Sequence, residues 1–151
     1  MELDEGLKIN GKLHIIVTGQ DGTVKRELVV PNLVVTAGKG YIASRMVGTA
    51  FTTTPTVMSH MAIGSGDTAP VIGDTTIETN IVRVELTSLT ATGNVVTASA
   101  TFSAGTGTGG IKEAGIFNAA SGGIMLCRTV FPIVTKEAGD TIAITWSITV
   151  S

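Results

Sequence analysis

A single cysteine, Cys127, stands in the chain, which excludes an internal disulfide framework and a multi-cysteine metal site. It fits synthesis in a reducing compartment, and Cys127 reads as strand filling rather than as a nucleophile. Histidine is nearly as scarce. His14 and His60 are the two, each at an alternating strand position, and neither has a carboxylate or cysteine at the spacing of a metal site or a triad. Aromatic residues make up 4% of the chain, so once Trp146 is assigned to the core few platforms remain for stacking a sugar. No apolar run approaches the roughly 20 residues that cross a bilayer, and the mean hydropathy of +0.41 is therefore no membrane signal. The opening Met1-Glu-Leu-Asp-Glu-Gly6 is acidic where a signal peptide is basic and then apolar, so no targeting segment is expected.

Charge is the largest deficit. Asp, Glu, Lys and Arg make up 15% of the 151 residues, against about 25% in ordinary soluble domains. Half of these charges lie in residues 1–45, and residues 86–111 carry none, their polar positions being Thr, Ser, Asn and Gly. The formal net charge of -2 offers no basic footprint for phosphate backbones or anionic lipid, so neither a nucleic-acid nor a membrane partner is expected. A surface so poor in charge is weakly protected against association, which suits a subunit that buries much of its outside against copies or a partner. A Thr-rich monomeric sandwich kept soluble by its hydroxyls is the competing reading.

What is present is period-2 alternation. Ile142, Ile144, Trp146, Ile148 and Val150 alternate with Ala143, Thr145, Ser147 and Thr149, the pattern of a strand with one buried face. Such a strand needs partners on both edges and a second apolar layer facing Trp146. Leu13, Ile15 and Val17 alternate likewise, and the Asp21-Gly22 turn makes a first hairpin with residues 23–30. Thr36 is the expected N-cap of a short helix through Val47, closed by Gly48 and weakened by Gly38 and Gly40. Residues 57–63 read as a strand. From Ile81 a strand is expected to run on into a long hairpin turned by Thr92-Gly-Asn94, with Val96, Ala98, Ala100 and Phe102 on its inner face. Residues 103–110 are a Gly- and Thr-rich crossing between sheets or a surface loop, and residues 118–123 the tip of a further hairpin spanning residues 111–131. The tally is about eight strands and one short helix without βαβ alternation. The expected fold is all-β, an antiparallel two-sheet sandwich or jelly-roll-like barrel. Residues 11–151 form a single domain, preceded by an arm at residues 1–10.

Gly64-Ser-Gly66 superficially suggests a phosphate-cradling loop, yet no Lys-Ser/Thr or third glycine follows and no helix pattern begins there. Asp67 and Asp74 hold Ca²⁺ only if backbone oxygens complete the shell; a turn whose aspartates bond their own backbone is the preferred reading. No cofactor or metal is expected.

The segments Met61-Ala-Ile-Gly-Ser-Gly-Asp-Thr-Ala-Pro70, Gly73-Asp-Thr, Glu78, Arg83-Val-Glu-Leu, Lys112-Glu-Ala-Gly-Ile-Phe117, Arg128-Thr-Val-Phe131 and Ile144-Thr-Trp-Ser-Ile148 resemble a group of small structural proteins of tailed bacteriophages. The resemblance covers roughly residue 32 onward. It implies a non-enzymatic virion component made in the host cytoplasm: a capsid decoration (cement) protein, or an accessory tail, baseplate or tail-fibre protein. No catalytic residues come with it. The absence of heptads, collagen-like glycine period and repeats argues against a fibre shaft and favours cement. The expected partners are then the major capsid protein and the chain itself, with a homotrimer implied by the family's habits. A carbohydrate-binding module is the third reading. Glu2, Leu3, Leu7 and Ile9 of the arm are the expected partner contacts, having too little apolar company to fold locally.

One pair is singled out by register. If Phe117 faces Ile124, then Gly115 faces Leu126, Glu113 faces Arg128 and Ile111 faces Val130, which places Glu113 and Arg128 together on the apolar face. Two charges buried there are expected to form a structural ion pair.

Overall fold

The computed structural model describes residues 6–48 and 55–151. Among the described residues, ten strands form two antiparallel five-stranded sheets packed as a sandwich with one helix. The strands are β1 (Ile9–Thr18), β2 (Val24–Pro31), β3 (Leu33–Val34), β4 (His60–Gly64), β5 (Asn80–Glu85), β6 (Ser88–Thr92), β7 (Val95–Phe102), β8 (Gly109–Phe117), β9 (Met125–Lys136) and β10 (Thr141–Val150), and the helix is α1 (Thr36–Val47). The first sheet has the order β2-β1-β10-β7-β6, and the second β3-β9-β8-β4-β5.

Strand β10 is central to the first sheet, flanked by β1 and β7 as its alternation requires. The register aligns Leu13, Trp146 and Ala98, with Val30 on the β2 side and Leu89 on the β6 side, in one row across the inner face. Trp146 is fully buried, and the small Ala98 beside it leaves room for the indole. Its Nε1–H donates to Asn32 Oδ1 at 3.0 Å, which gives the one polar atom of the ring a partner. Across from this row, Met61, Ile63, Ile111, Ile116 and Val134 of the second sheet complete the core.

Four sequence expectations are corrected. First, β5 does not run on into a hairpin with β7. It pairs with β4 in the second sheet, and the chain then changes sheet at Leu86 and Thr87 to begin β6. The apolar positions change phase there, from Val82, Val84 and Leu86 to Leu89 and Ala91, with Thr87 and Ser88 between them. Second, the strand expected at 57–63 is β4, shifted to His60–Gly64. Third, the N-cap of α1 is Val35, with no side-chain cap; the Thr36 N–H donates instead to Ile72 O at 2.8 Å. Gly38, which weakens the helix in isolation, is required in the fold, because a Cβ there would stand 2.1 Å from Leu126 O. Fourth, β1 takes in Ile9 and Asn10 of the expected arm, with Ile9 opposite Val150. Residues 103–108 cross between the sheets as expected.

Candidate functional site

The second sheet carries a further layer. Residues 65–79 lie over its outer face, where Ile77 packs with Phe117, Met125, Ala62 and Val35 in a core separate from the one between the sheets. Arg83 closes one side: its guanidinium stands 3.5 Å from the centre of the Phe117 ring and donates to Ala119 O and Gly122 O.

Glu113 and Arg128 anchor this layer. The expected register is corrected: Glu113 lies opposite Val130, Gly115 opposite Arg128, Phe117 opposite Met125 and Ile111 opposite Val134, with irregularities at Ile111/Glu113 and Ile116/Phe117. The irregularity at Ile116/Phe117 puts one extra residue into β9 and that at Ile111/Glu113 puts in two, and each shifts the pairing beyond it. The two charges become diagonal neighbours on one face, still within reach of one another. Arg128 donates from Nε to Glu113 Oε2 at 3.1 Å, and its Nη2 lies 3.0 Å from the same oxygen. The face is the outer one, and it is dry only because residues 65–79 cover it; Glu113 and Arg128 are 0% and 3% exposed.

Three backbone N–H groups complete the carboxylate's shell. Gly66 and Thr79 donate to Glu113 Oε1 at 3.0 and 2.7 Å, and Glu78 donates to Oε2 at 2.9 Å. The glycine-rich loop thus cradles an anion, and the anion is the protein's own. A Cβ at Gly66 would stand 2.6 Å from Glu113 Oε1, so only glycine lets the backbone approach this closely. Arg128 also reaches Asp74 Oδ2 at 2.7 Å and Thr68 O at 3.1 Å, and Thr68 in turn donates to Glu78 from its backbone and hydroxyl. For Asp74, burial pushes its carboxyl up, and the Val71 N–H and the Arg128 guanidinium more than offset this, holding it below the usual range. Glu78 is lowered by its bonds to the Thr68 backbone and hydroxyl. Asp67 faces Lys112 at 3.0 Å. Among the described residues no group of three His, Cys, Asp or Glu side chains is placed to hold a metal.

The end of the sandwich beneath α1 is built differently. A cavity of about 510 Å³ opens there between the sheets, lined by Ile9, Ile148, Val96 and Ala91 of the first sheet, Ile116 and Leu126 of the second, and Tyr41, Ile42 and Arg45 of α1. Apolar side chains stand exposed around it, with Leu7 at 72%, Met46 at 82% and Val57 at 54%. Strand β6 borders the cavity through Leu89, Thr90 and Ala91 and is the bare edge of the first sheet, every residue exposed and none charged.

The expected site residues therefore separate. Glu113 and Arg128 meet in the clamp, Leu7 is exposed beside α1, and Ile9 lines the cavity; Glu2 and Leu3 lie outside the described residues. Sequence reading missed Asp74 as an Arg128 partner and the cavity altogether, since its lining comes from seven separate elements. Among the described residues no helix is long and apolar enough to cross a membrane. The chain matches no protein-family model, no curated protein and no solved structure.

Proposed function

We propose that this chain is a non-enzymatic structural subunit of a tailed-bacteriophage virion, a decoration or cement protein that binds the major capsid protein lattice on the shell surface and stabilises the head. The observation that carries the reading is where the family-like segments meet. Gly64, Gly66, Glu78, Lys112, Glu113 and Arg128 come from strands and loops far apart in sequence and converge on the clamp over the second sheet. Both oxygens of Glu113 and the whole guanidinium of Arg128 are engaged within the protein, which suits a part that sets shape and leaves no free acid, base or nucleophile for a reaction.

The rest of the surface supports assembly. The uncharged β6 edge and the exposed apolar residues around α1 are features that a solitary subunit has reason to avoid and an assembled one uses. Self-association as a homotrimer, with the arm residues Glu2, Leu3, Leu7 and Ile9 at a subunit contact, belongs to the same proposal. On the shell, binding energy available only in the mature lattice opposes rupture of that lattice.

Fractionation of virions tests the placement. A cement protein is recovered in many copies with tail-less heads, and heads lacking it release DNA at a lower temperature. Recovery in a few copies with tails assigns it to the tail instead, and equal heat stability with and without it removes the cement role.

A further inference from the structure

The layer over the second sheet contains the apolar run Ala69-Pro-Val-Ile72, and in it Val71 and Ile72 stand 57% and 60% exposed. We infer that this run is the surface by which the chain docks on a partner protein, seating Val71 and Ile72 in a shallow apolar pocket that is basic on the side meeting Asp67 and Glu78. The inference rests on the proposed function, under which that partner is the major capsid protein.

Neither local structure nor packing calls for apolar side chains here. The Asp74 N–H donates to Val71 O at 3.0 Å, which closes a four-residue turn with Val71 first and Ile72 second. Such turns favour Asp, Asn or Ser in the first place and Pro in the second, and a β-branched apolar residue gains nothing from either. The core beneath the layer is filled by Ile77 instead. Two large apolar side chains left side by side in water bring a solitary chain no stability, and they suit a surface that is covered on assembly.

The turn is fixed from two sides. The Val71 N–H donates to Asp74 Oδ2 at 3.0 Å, and the same oxygen accepts from Arg128 Nη1 at 2.7 Å, so the buried clamp continues into the turn. On the other side the Thr36 N–H, at the start of α1, donates to Ile72 O at 2.8 Å. A backbone held in this way meets a partner without first having to be ordered, which removes a usual loss on binding. Charge then narrows the partner. Residues 65–79 hold Asp67, Asp74 and Glu78 and no Lys or Arg. With Glu113 these are four carboxylates against the two cations that face them, Lys112 and Arg128, and the Asp67 and Glu78 side chains are 70% and 41% exposed. That surround repels nucleic acid and anionic lipid and favours a protein pocket with a basic rim. Two side chains make a small contact, and an oligomer on a repeating shell multiplies it.

Co-sedimentation with heads assembled without this chain tests the assignment. The full wild-type chain is expected to attach, and Ile72→Ser to attach about tenfold more weakly or worse with its thermal midpoint unchanged, since the turn is held by backbone groups and Asp74. Val71→Thr keeps both the shape and those bonds; it should weaken attachment several-fold, and it carries the test if Ile72→Ser lowers the midpoint. Attachment of the wild type should also weaken as salt is raised, and less steeply in Asp67→Asn. Equal attachment of the wild type and both apolar variants overturns the inference while leaving the cement reading in place, and attachment indifferent to salt overturns the basic rim. Failure of the wild type to attach removes the cement reading and the inference together. Self-association in sedimentation that Ile72→Ser abolishes, with attachment to heads unchanged, makes the run a contact between copies and overturns the inference as well.

Discussion

On the outer face of the second sheet, residues 65–79 bury Phe117 under Ile77 and close the Glu113 carboxylate with three backbone N–H groups and Arg128. At the α1 end the same chain leaves Leu7 and Met46 largely exposed, a cavity of about 510 Å³ open and an uncharged strand edge bare. The first region supplies its own cover, and every charged group in it has a partner. The second ends in apolar surface and a strand edge that the described residues leave uncovered. Under the proposed function the difference separates what the chain needs in order to fold from what it offers for assembly, and it predicts that perturbing the first costs stability while perturbing the second costs association.

The largest effect is expected in the clamp. Glu113→Gln and Arg128→Met each strand a buried charge and should destabilise the isolated chain by about 3–5 kcal/mol. The double variant should cost clearly less than the sum, because each single change already breaks the same pair. Denaturant melts of the four proteins measure this. Strict additivity would mean that the two groups act separately and that the covered face is held by apolar contact alone.

Next is Ile77→Ala, which removes the side chain that covers Phe117 and should cost about 2 kcal/mol or more. A loss near zero in a thermal melt would show that residues 65–79 rest on the sheet without stabilising it.

The region's acid response follows in size. Asp74 has a folded pKa below its unfolded value of about 3.9, so the stability it contributes is present above that pH and is lost as pH falls through the folded value. Glu78 acts in the same direction. Stability should therefore decline below about pH 4, with a shallower slope in Asp74→Asn, as read from melts at stepped pH. An equal slope in that variant would remove Asp74 from the clamp's electrostatics.

Much of this division was legible in the residues, and the failures have physical causes. The alternation of β10 placed it at the centre of a sheet with Trp146 inward, because a period-2 pattern survives whatever the partner strands do. Charges at Glu113 and Arg128 on an otherwise apolar hairpin pointed to their pairing. The register that led there was wrong, since β9 carries extra residues, and in the wholly apolar run Met125-Leu-Cys127 nothing marks that Leu126 and Cys127 both turn to the inter-sheet core. The cover at 65–79 has no periodicity, so its role is visible only once Gly66 and Ile77 are seen against the sheet. The change of sheet at Leu86 and Thr87 hid β6, and with it the edge and the cavity.

The smallest effect on folding is expected at that edge. Leu89→Lys places a charge on β6, an established means of protecting a strand edge, and should change the monomer's stability by no more than about 0.5 kcal/mol while abolishing self-association in sedimentation. A large loss of thermal stability would make Leu89 part of the core and weaken the contrast between the two regions.

Hydrogen exchange at low and high protein concentration tests the contrast most directly. The amides of Gly66, Glu78 and Thr79, bound to Glu113, should be protected to the same degree at every concentration, whereas the β6 amides that point away from β7 should exchange fast when dilute and slow as copies associate. Fast exchange in the clamp, or β6 protection that does not change with concentration, would contradict the account.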